Sequence, residues 1–275
     1  MLNIKITKKI IMVVSIIVVV ASLACVLFPT VSNTITQTNI KHDIEFFDKR
    51  AEGVVDLDGL THDEAIELGV LDNEGYLLDE QGNRDCEFPV ILKADLEKLL
   101  KDSMAYNEVL KTEQGKKLTN NSAYSGTALT LSNYGIYDGI YGYVSAPSID
   151  LKLPIYLGAN EYNMSIGAAH LRYTSLPIGG KSTNCVLSGH TGYIGKTFFD
   201  NLPNLKIGDT VSVTNYWETL EYKVVRTLVR TPTEVQELFI EEDKELLSLF
   251  TCISNNQGGF SRYYVVCEKN TVDKP

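Results

Sequence analysis

Residues 246–252 read Leu-Leu-Ser-Leu-Phe-Thr-Cys, and residues 261–266 read Ser-Arg-Tyr-Tyr-Val-Val. Both runs are short and rich in apolar, aromatic or β-branched residues, and the loop between them contains Asn and Gly, which is typical of two neighbouring β-strands. Cys252 ends the first run and Arg262 opens the second. A strand–loop–strand connection therefore brings both side chains to the same end of one hairpin.

Short strand-like runs recur throughout residues 135–270, separated by Gly, Pro and Asn. The further examples are residues 141–144, 153–157, 185–187, 210–214 and 220–228. Several short strands at such spacing predict a mostly β fold built as one closed or nearly closed barrel. Residues 234–240 are predicted to form a short helix inserted between two of the strands.

Two segments precede the predicted barrel. Residues 94–111 carry apolar residues near helical spacing and predict a helix, which a polar loop follows up to residue 134. Residues 29–93 are interpreted as a polar tether, over about 29–45, and an acidic appendage. Within 50–93, twelve acidic residues stand against three basic ones, which is best explained as a solvated acidic surface. Thr61 with Glu64 resembles a capping box, which predicts a short helix here.

The N-terminus predicts a membrane anchor. Residues 1–9 contain three lysines, and residues 10–28 carry no charge. A helix over that stretch would be about 28 Å long, close to the thickness of a bilayer core. Because lysines stay on the cytoplasmic side, residues 1–9 are a cytoplasmic tail, and the chain after Pro29 lies outside the cell. A cleaved signal peptide, or lipidation at Cys25, is the alternative interpretation.

Composition excludes some classes of function. The net charge of −10 disfavours a nucleic-acid binder, which needs a basic face. The five cysteines form no CxxC pair and no zinc-ligand spacing with the four histidines, so a zinc site is not predicted. An odd number of cysteines in an exported protein leaves at least one thiol free, and nucleophilic catalysis is one reason to keep it.

Three residues are candidates for catalysis. His190 follows an apolar strand and lies between glycines, Cys252 ends another strand, and Arg262 opens a third. A thiol attacks a carbonyl as the thiolate, which a neighbouring cation favours. A histidine can protonate a departing amine and deprotonate an incoming one, and a fixed guanidinium can stabilise charge on the carbonyl oxygen.

The combination resembles the sortase family. Residues 249–252, Leu-Phe-Thr-Cys, are similar to the family's Thr-Leu-x-Thr-Cys signature, and Ser248 stands at the first threonine. Ser188-Gly189-His190 and Arg262-Tyr263-Tyr264-Val265-Val266 resemble the segments that hold the family's histidine and arginine. Upstream, Gly142-Tyr143-Val144 resembles the family's first-strand region. Ala168-Ala169-His170-Leu171 and Thr174-Ser175-Leu176-Pro177 are similar to class C, pilus-type members.

The resemblance implies an eight-stranded sortase-type β-barrel with short helices, preceded here by a transmembrane helix and an acidic α/β appendage. It implies that Cys252 is the nucleophile, His190 the general acid and base, and Arg262 the oxyanion-stabilising or substrate-positioning group. The implied reaction cuts an LPxTG-like sorting signal of a secreted protein after threonine and forms a thioester. A pilin lysine or a peptidoglycan-precursor amine then releases the thioester, and no cofactor takes part. A Gram-positive-type cell envelope is the implied location.

Two features depart from the pilus-type pattern. The loop at residues 118–131, which would be the lid, lacks the Asp-Pro-aromatic tripeptide, so we expect it to be mobile, with Tyr124 as its only aromatic residue. Residues 50–93 have no counterpart that we can place. A hydrolytic, papain-like cysteine protease and a membrane-tethered binding module are the alternative functions. His170 is interpreted as a structural histidine.

Overall fold

The computed structural model describes residues 2–118, 124–255 and 258–269, with side chains from residue 10 onward. Eight strands close into one barrel in the order β1-β2-β3-β4-β7-β8-β6-β5, which confirms the predicted eight-stranded barrel. The strands are β1 (Ile140–Ala146), β2 (Leu151–Leu157), β3 (Ala168–His170), β4 (Thr183–Ser188), β5 (Thr210–Asn215), β6 (Thr219–Arg230), β7 (Glu245–Ser254) and β8 (Phe260–Lys269).

Side-chain alternation along the strands separates the interior from the outer face. Cys185 and Leu187 of β4, and Leu247 and Leu249 of β7, belong to the same buried cluster inside the barrel. Because successive side chains of a strand point to opposite faces, Phe250 and the other residues in phase with it lie on the outer face. Strand pairs are antiparallel except β2–β3 and β4–β7, which are parallel.

The strand β3 was not predicted, because it has only three residues and its sequence gives no alternation to detect. It is fully buried and bridges β2 to β4. The predicted helix at 234–240 is a single 3-10 turn, Gln236–Leu238. Further 3-10 turns are Leu131–Tyr134, Pro147–Ile149 and Leu202–Asn204.

The helices are α1 (Leu2–Glu52), α2 (His62–Glu67), α3 (Lys93–Lys117) and α4 (Glu161–Met164). The predicted capping residue Thr61 precedes α2, and its backbone N–H donates to Glu64 Oε2 at 2.8 Å. The acidic appendage has a small core of its own, centred on Ala65, Leu71 and Leu92. Between 50 and 93, β-pairing is limited to isolated bridges, so the appendage is largely turns and loops around α2.

The most extended element is α1, a single helix of 51 residues. Its apolar part is long and hydrophobic enough to cross a membrane, and the side chains of residues 10–28 are exposed. The helix continues through Pro29 to Glu52, so the stretch interpreted as a tether is helical. A proline near the middle of a helix removes one backbone hydrogen bond without ending the helix when other contacts hold both halves.

Tertiary packing explains why the second half of α1 is helical. Ile40, Ile44 and Phe47 recur at helical spacing and are all buried against the barrel. Near the end of the helix, Arg50 is 4% exposed and pairs with Asp138, with 2.5 Å between Nη2 and Oδ2. The residues between these buried positions are mostly polar, so the sequence pattern suggests a polar tether and not an amphipathic helix.

Two truncations of α1 should show that its first half contributes nothing to the stability of the barrel and that its second half does. Removing residues 1–28 should leave the free energy of unfolding of the barrel nearly unchanged, because the side chains of residues 10–28 are exposed and do not pack on the barrel. Removing residues 1–47 also removes three buried apolar side chains, each worth about 1.5–3 kcal/mol, so we expect a loss of about 5 kcal/mol. Denaturant unfolding of both proteins measures the difference. Equal midpoints would show that the buried stripe contributes nothing to stability.

Candidate active site

Cys252 lies on β7 and Arg262 on the adjacent strand β8, while His190 follows the end of β4, the other neighbour of β7. Ser188 at the end of β4 pairs with Phe250 of β7, so His190, two residues further, stands level with Cys252. Cys252 is in turn the register partner of Arg262 on β8. Neighbouring strands lie about 4.8 Å apart, so the row His190, Cys252, Arg262 crosses roughly 10 Å of the barrel surface with the cysteine in the middle.

Two hydrogen bonds extend the β4–β7 pairing beyond the strands. The Gly189 N–H donates to the carbonyl of Phe250 at 3.3 Å, and Thr251 Oγ1 donates to the carbonyl of Gly189 at 2.7 Å. A side chain at position 189 is excluded, because its Cβ would lie 2.7 Å from the ring of Phe199. Because Gly189 has no side chain, the ring of Phe199 can pack directly on the backbone next to His190.

Cys252 differs from the other cysteines of the barrel in its access to solvent. It is exposed, whereas Cys185 and Cys267 are buried in the barrel interior. Burial raises the pKa of both interior thiols, that of Cys267 to about 12, so neither is a nucleophile. Cys25 and Cys86 are also free thiols, in α1 and in the appendage.

His190 is half-buried, just beyond the end of the strand that pairs with β7. Burial lowers the pKa of its imidazole, and the carboxylate of Glu161 opposes that change. The neutral ring is therefore the main form at neutral pH. The ring of Tyr193 packs against it, with the centroids 5.4 Å apart and the planes at 35°.

Arg262 packs among aromatic side chains on the outer face of the barrel. It is 8% exposed, and its guanidinium lies over the ring of Phe250, 5.3 Å from the centroid. Burial raises the pKa of the phenols of Tyr124 and Tyr264, and the positive charge of Arg262 opposes the rise in both. The cation is thus fixed in a low-dielectric setting on the side of Cys252 opposite His190, where its field is little screened.

The rival histidine, His170, lies in the interior. It is 0% exposed on β3, and its Nε2 is within 3.2 Å of the carbonyls of Thr174 and Ser175. Burial lowers its pKa to about 4. Its position agrees with a structural role.

The loop expected to act as a mobile lid is anchored where the structure describes it. Residues 119–123 lie outside the described residues. Tyr124, 6% exposed, packs with Phe250 and Tyr264, and its carbonyl accepts the N–H of Ala159 at 3.0 Å. Tyr124 therefore lies beside Arg262 as part of the outer-face cluster, while Cys252 stays exposed.

The part of the chain that the structure describes has no group of three or more His, Cys, Asp or Glu side chains placed to hold a metal ion. A cavity of about 870 Å³ lies between α1 and the barrel, but it is lined by none of the three candidate residues. We give the row of His190, Cys252 and Arg262 more weight than this cavity, because only the row combines an exposed thiol, an imidazole and a buried cation.

Comparison with known proteins agrees with the fold. Residues 144–270 match the family model of the sortase domain. Sortase A of Bacillus anthracis is 30% identical over 127 residues, which are 46% of this chain and 58% of that protein. Sortase A of Listeria monocytogenes is 30% identical over 115 residues, 42% of this chain and 50% of that protein. The chain thus spans little more than half the length of these curated relatives.

Solved structures match over a longer stretch. Sortase C-1 of Streptococcus pneumoniae is 30% identical, with a TM-score of 0.56, and the match covers 64% of this chain and 90% of that one. The pilus-related sortase C of Group B Streptococcus is 31% identical, with a TM-score of 0.54 and coverages of 64% and 89%. The closed barrel is therefore of the sortase type. The chain belongs to the sortase family, and its structural neighbours are class C pilus sortases.

Sequence reasoning missed the surroundings of the three candidates. Glu161, Tyr193 and Phe250 contact or act on them from α4, the β4–β5 loop and β7. The available sequence signal was Asn160, whose side chain accepts the N–H of Asn163 and starts α4. It indicates a helix start but not that the helix faces His190.

Alkylation should test whether the site is open. Cys252 should react with iodoacetamide far faster than Cys185 or Cys267, as followed by peptide mapping. Tyr124→Ala should change the rate at Cys252 by no more than about threefold, or about 0.7 kcal/mol, because Tyr124 lies beside the site and not over the thiol. An acceleration of about a hundredfold, roughly 2.7 kcal/mol, would mean that the loop closes the site.

Titration should report the charge next to His190. The His190 ring should titrate below its usual pKa of 6.5, and Glu161→Gln should lower that pKa further, because it removes the carboxylate that favours the imidazolium. NMR of the ring protons measures the shift. Glu242→Gln, beside Lys181, is the control and should leave it unchanged. A raised His190 pKa in Glu161→Gln would contradict the assigned interaction.

Proposed function

We propose that the chain is a membrane-anchored sortase that acts as a cysteine transpeptidase through Cys252. The observation that carries the proposal is the row itself: the exposed thiol of Cys252 is in register with the buried Arg262 on β8, and His190 follows the end of β4, which pairs with the other edge of β7. Membership of the sortase family supports it, because the three candidates fall at the positions that carry the resemblance.

The first half of the reaction forms an acyl-enzyme. The neutral imidazole of His190 accepts the thiol proton of Cys252, and the sulfur attacks the scissile carbonyl carbon. Negative charge moves to the carbonyl oxygen, where Arg262 stabilises it. The C–N bond then breaks, and the imidazolium returns the proton to the departing amine. A thioester on Cys252 remains, and the C-terminal fragment leaves with a new amino group.

The second half reverses these steps with another amine. The incoming amine attacks the thioester carbon, His190 accepts its proton, and the C–S bond breaks. The thiolate then takes the proton back from His190. A new amide bond has formed, and the enzyme has returned to its starting state without a cofactor or an oxidant.

The substrate class rests on the family. We propose an LPxTG-like sorting signal on a secreted protein, cut after its threonine, as the acyl donor. The acceptor is a pilin lysine or a peptidoglycan-precursor amine. The sortase C neighbours, one of which is described as pilus-related, favour the lysine.

The location follows from α1. We propose that residues 10–28 span the cell membrane once, with residues 1–9 in the cytoplasm and the barrel outside. The exposed thiol of Cys252 then faces the compartment through which secreted proteins pass.

The alternative functions receive less support. A papain-like protease places its cysteine on a helix, whereas Cys252 lies on strand β7. A pure binding module gives no reason for an exposed thiol to sit between an imidazole and a guanidinium. Hydrolysis of the same thioester by water differs from transpeptidation only in the acceptor, so the product distinguishes the two.

The decisive experiment is mass spectrometry of products formed from a sorting peptide and an amine. The wild-type chain should give both the amide product and a thioester adduct on Cys252. Cys252→Ala should abolish both, a loss of about a thousandfold or more, because only the attacking sulfur is removed.

Cys86→Ala is the matched control, since Cys86 is a partly exposed thiol outside the barrel, and it should keep full activity. Product formation by Cys252→Ala would overturn the assignment of the nucleophile. Hydrolysed peptide without amide product at saturating amine would reduce the proposal to a cysteine protease.

A further inference from the structure

The loop between β4 and β5 has an apolar tip that the barrel does not bury. Tyr193 is 42% exposed and Ile194 is 77% exposed, directly before Gly195. Single exposed apolar residues are common on protein surfaces and need no explanation by themselves. This tip is different because it lies next to α1, close to the end of the apolar run of that helix.

Helix α1 holds the loop just behind its tip. Asn33 Oδ1 accepts the backbone N–H of Thr197 at 2.8 Å, and Gln37 Nε2 donates to the carbonyl of the same residue at 2.9 Å. Asn33 and Gln37 are one turn apart on the helix, so together they bind the backbone N–H and the backbone carbonyl of Thr197. The height of the loop along α1 is therefore fixed.

The tip itself reaches the level at which the apolar part of α1 ends. A Cβ on Gly195 would lie 2.7 Å from Cβ of Ser32 and 3.5 Å from Cα of Pro29. Gly195 has φ of +73°, which a glycine adopts without strain. The apolar run ends at Phe28, so Gly195 lies within about one helical turn, roughly 5 Å, of that end, and Ile194 directly precedes Gly195.

We propose that Tyr193 and Ile194 form a second contact with the bilayer, inserting at the interface of the outer leaflet beside α1. This proposal rests on the proposed membrane anchoring of α1. The chemistry fits, because tyrosine favours the membrane–water interface and an exposed isoleucine gains by leaving water. Towards its other end, α1 packs on Tyr143 and Tyr216 through Phe47, so the barrel extends away from the membrane on that side.

The consequence concerns the candidate active site. Tyr193 packs on the ring of His190, and one strand spacing separates His190 from Cys252. The thiol is thus held roughly 10 Å from the proposed bilayer contact. Its substrate would be a polypeptide presented at the membrane surface, such as one still held by an apolar segment of its own.

Fluorescence quenching tests the contact without any need for catalysis. The full chain is reconstituted in vesicles of phosphatidylglycerol and phosphatidylcholine, with or without bromine on the acyl chains. Ile194→Trp adds an indole at the tip, and its emission should fall by about twofold or more in the brominated vesicles, because indoles at the interface reach the upper acyl chains. The parent emission of Trp217, which neighbours Tyr216 near Phe47, is subtracted.

Leu68→Trp is the matched control, because Leu68 is 66% exposed in the appendage, beyond the far end of α1. Its emission should not depend on bromine. Flotation of the same vesicles after an alkaline wash reports the anchor separately. Floating protein with an unquenched indole at position 194 would overturn the loop contact and leave the anchor intact. Protein that fails to float would overturn the anchor and the loop contact together, while the chemistry at Cys252 would stand on its own assay.

Discussion

The parallel pairing of β4 with β7 is the constraint on which the site depends. Six consecutive residues of each strand pair, from Thr183 with Glu245 to Ser188 with Phe250. The register is fixed because a slip of one residue would turn Leu187 or Leu249 out of the core. Cys252 pairs with Arg262 in the next hairpin, so the same register sets all three candidate side chains. The geometry of the site is thus a by-product of burying the barrel interior.

A second constraint comes from α1. One element carries the apolar run, fills a groove on the barrel with Ile40 and Ile44, and grips the β4–β5 loop at Thr197. The run before Pro29 and the loop after His190 are thus attached to one continuous helix. A flexible tether would leave the barrel free to rotate on the proposed anchor, whereas a helix packed on the barrel restricts which end of the barrel faces the proposed membrane.

The sequence allowed prediction of the elements whose signal is local. Seven of the strands, α3 and the row of three candidates follow from apolar runs and from what ends them. The short strand β3 was missed because its three residues are defined by their partners alone. The helical stretch after Pro29 was missed because its stripe is buried by tertiary contact. Glu161 acts on His190 from a distant segment, which no spacing in the sequence reveals, and the packing of Tyr193 on His190 depends on a loop conformation that the sequence pattern does not define.

The exposures of the three candidates are unequal, and the difference has a physical reason. The proposed nucleophile has to be reachable by a polypeptide, and Cys252 is exposed. A cation that stabilises developing charge acts most strongly when it is fixed before the reaction and shielded from water, and Arg262 is buried over the ring of Phe250. His190 lies between these extremes, half-buried and mainly neutral, which suits the proposed role of accepting and returning a proton. Cys252 is exposed to water, so in the proposed reaction the bound peptide itself would have to exclude water until the amine arrives.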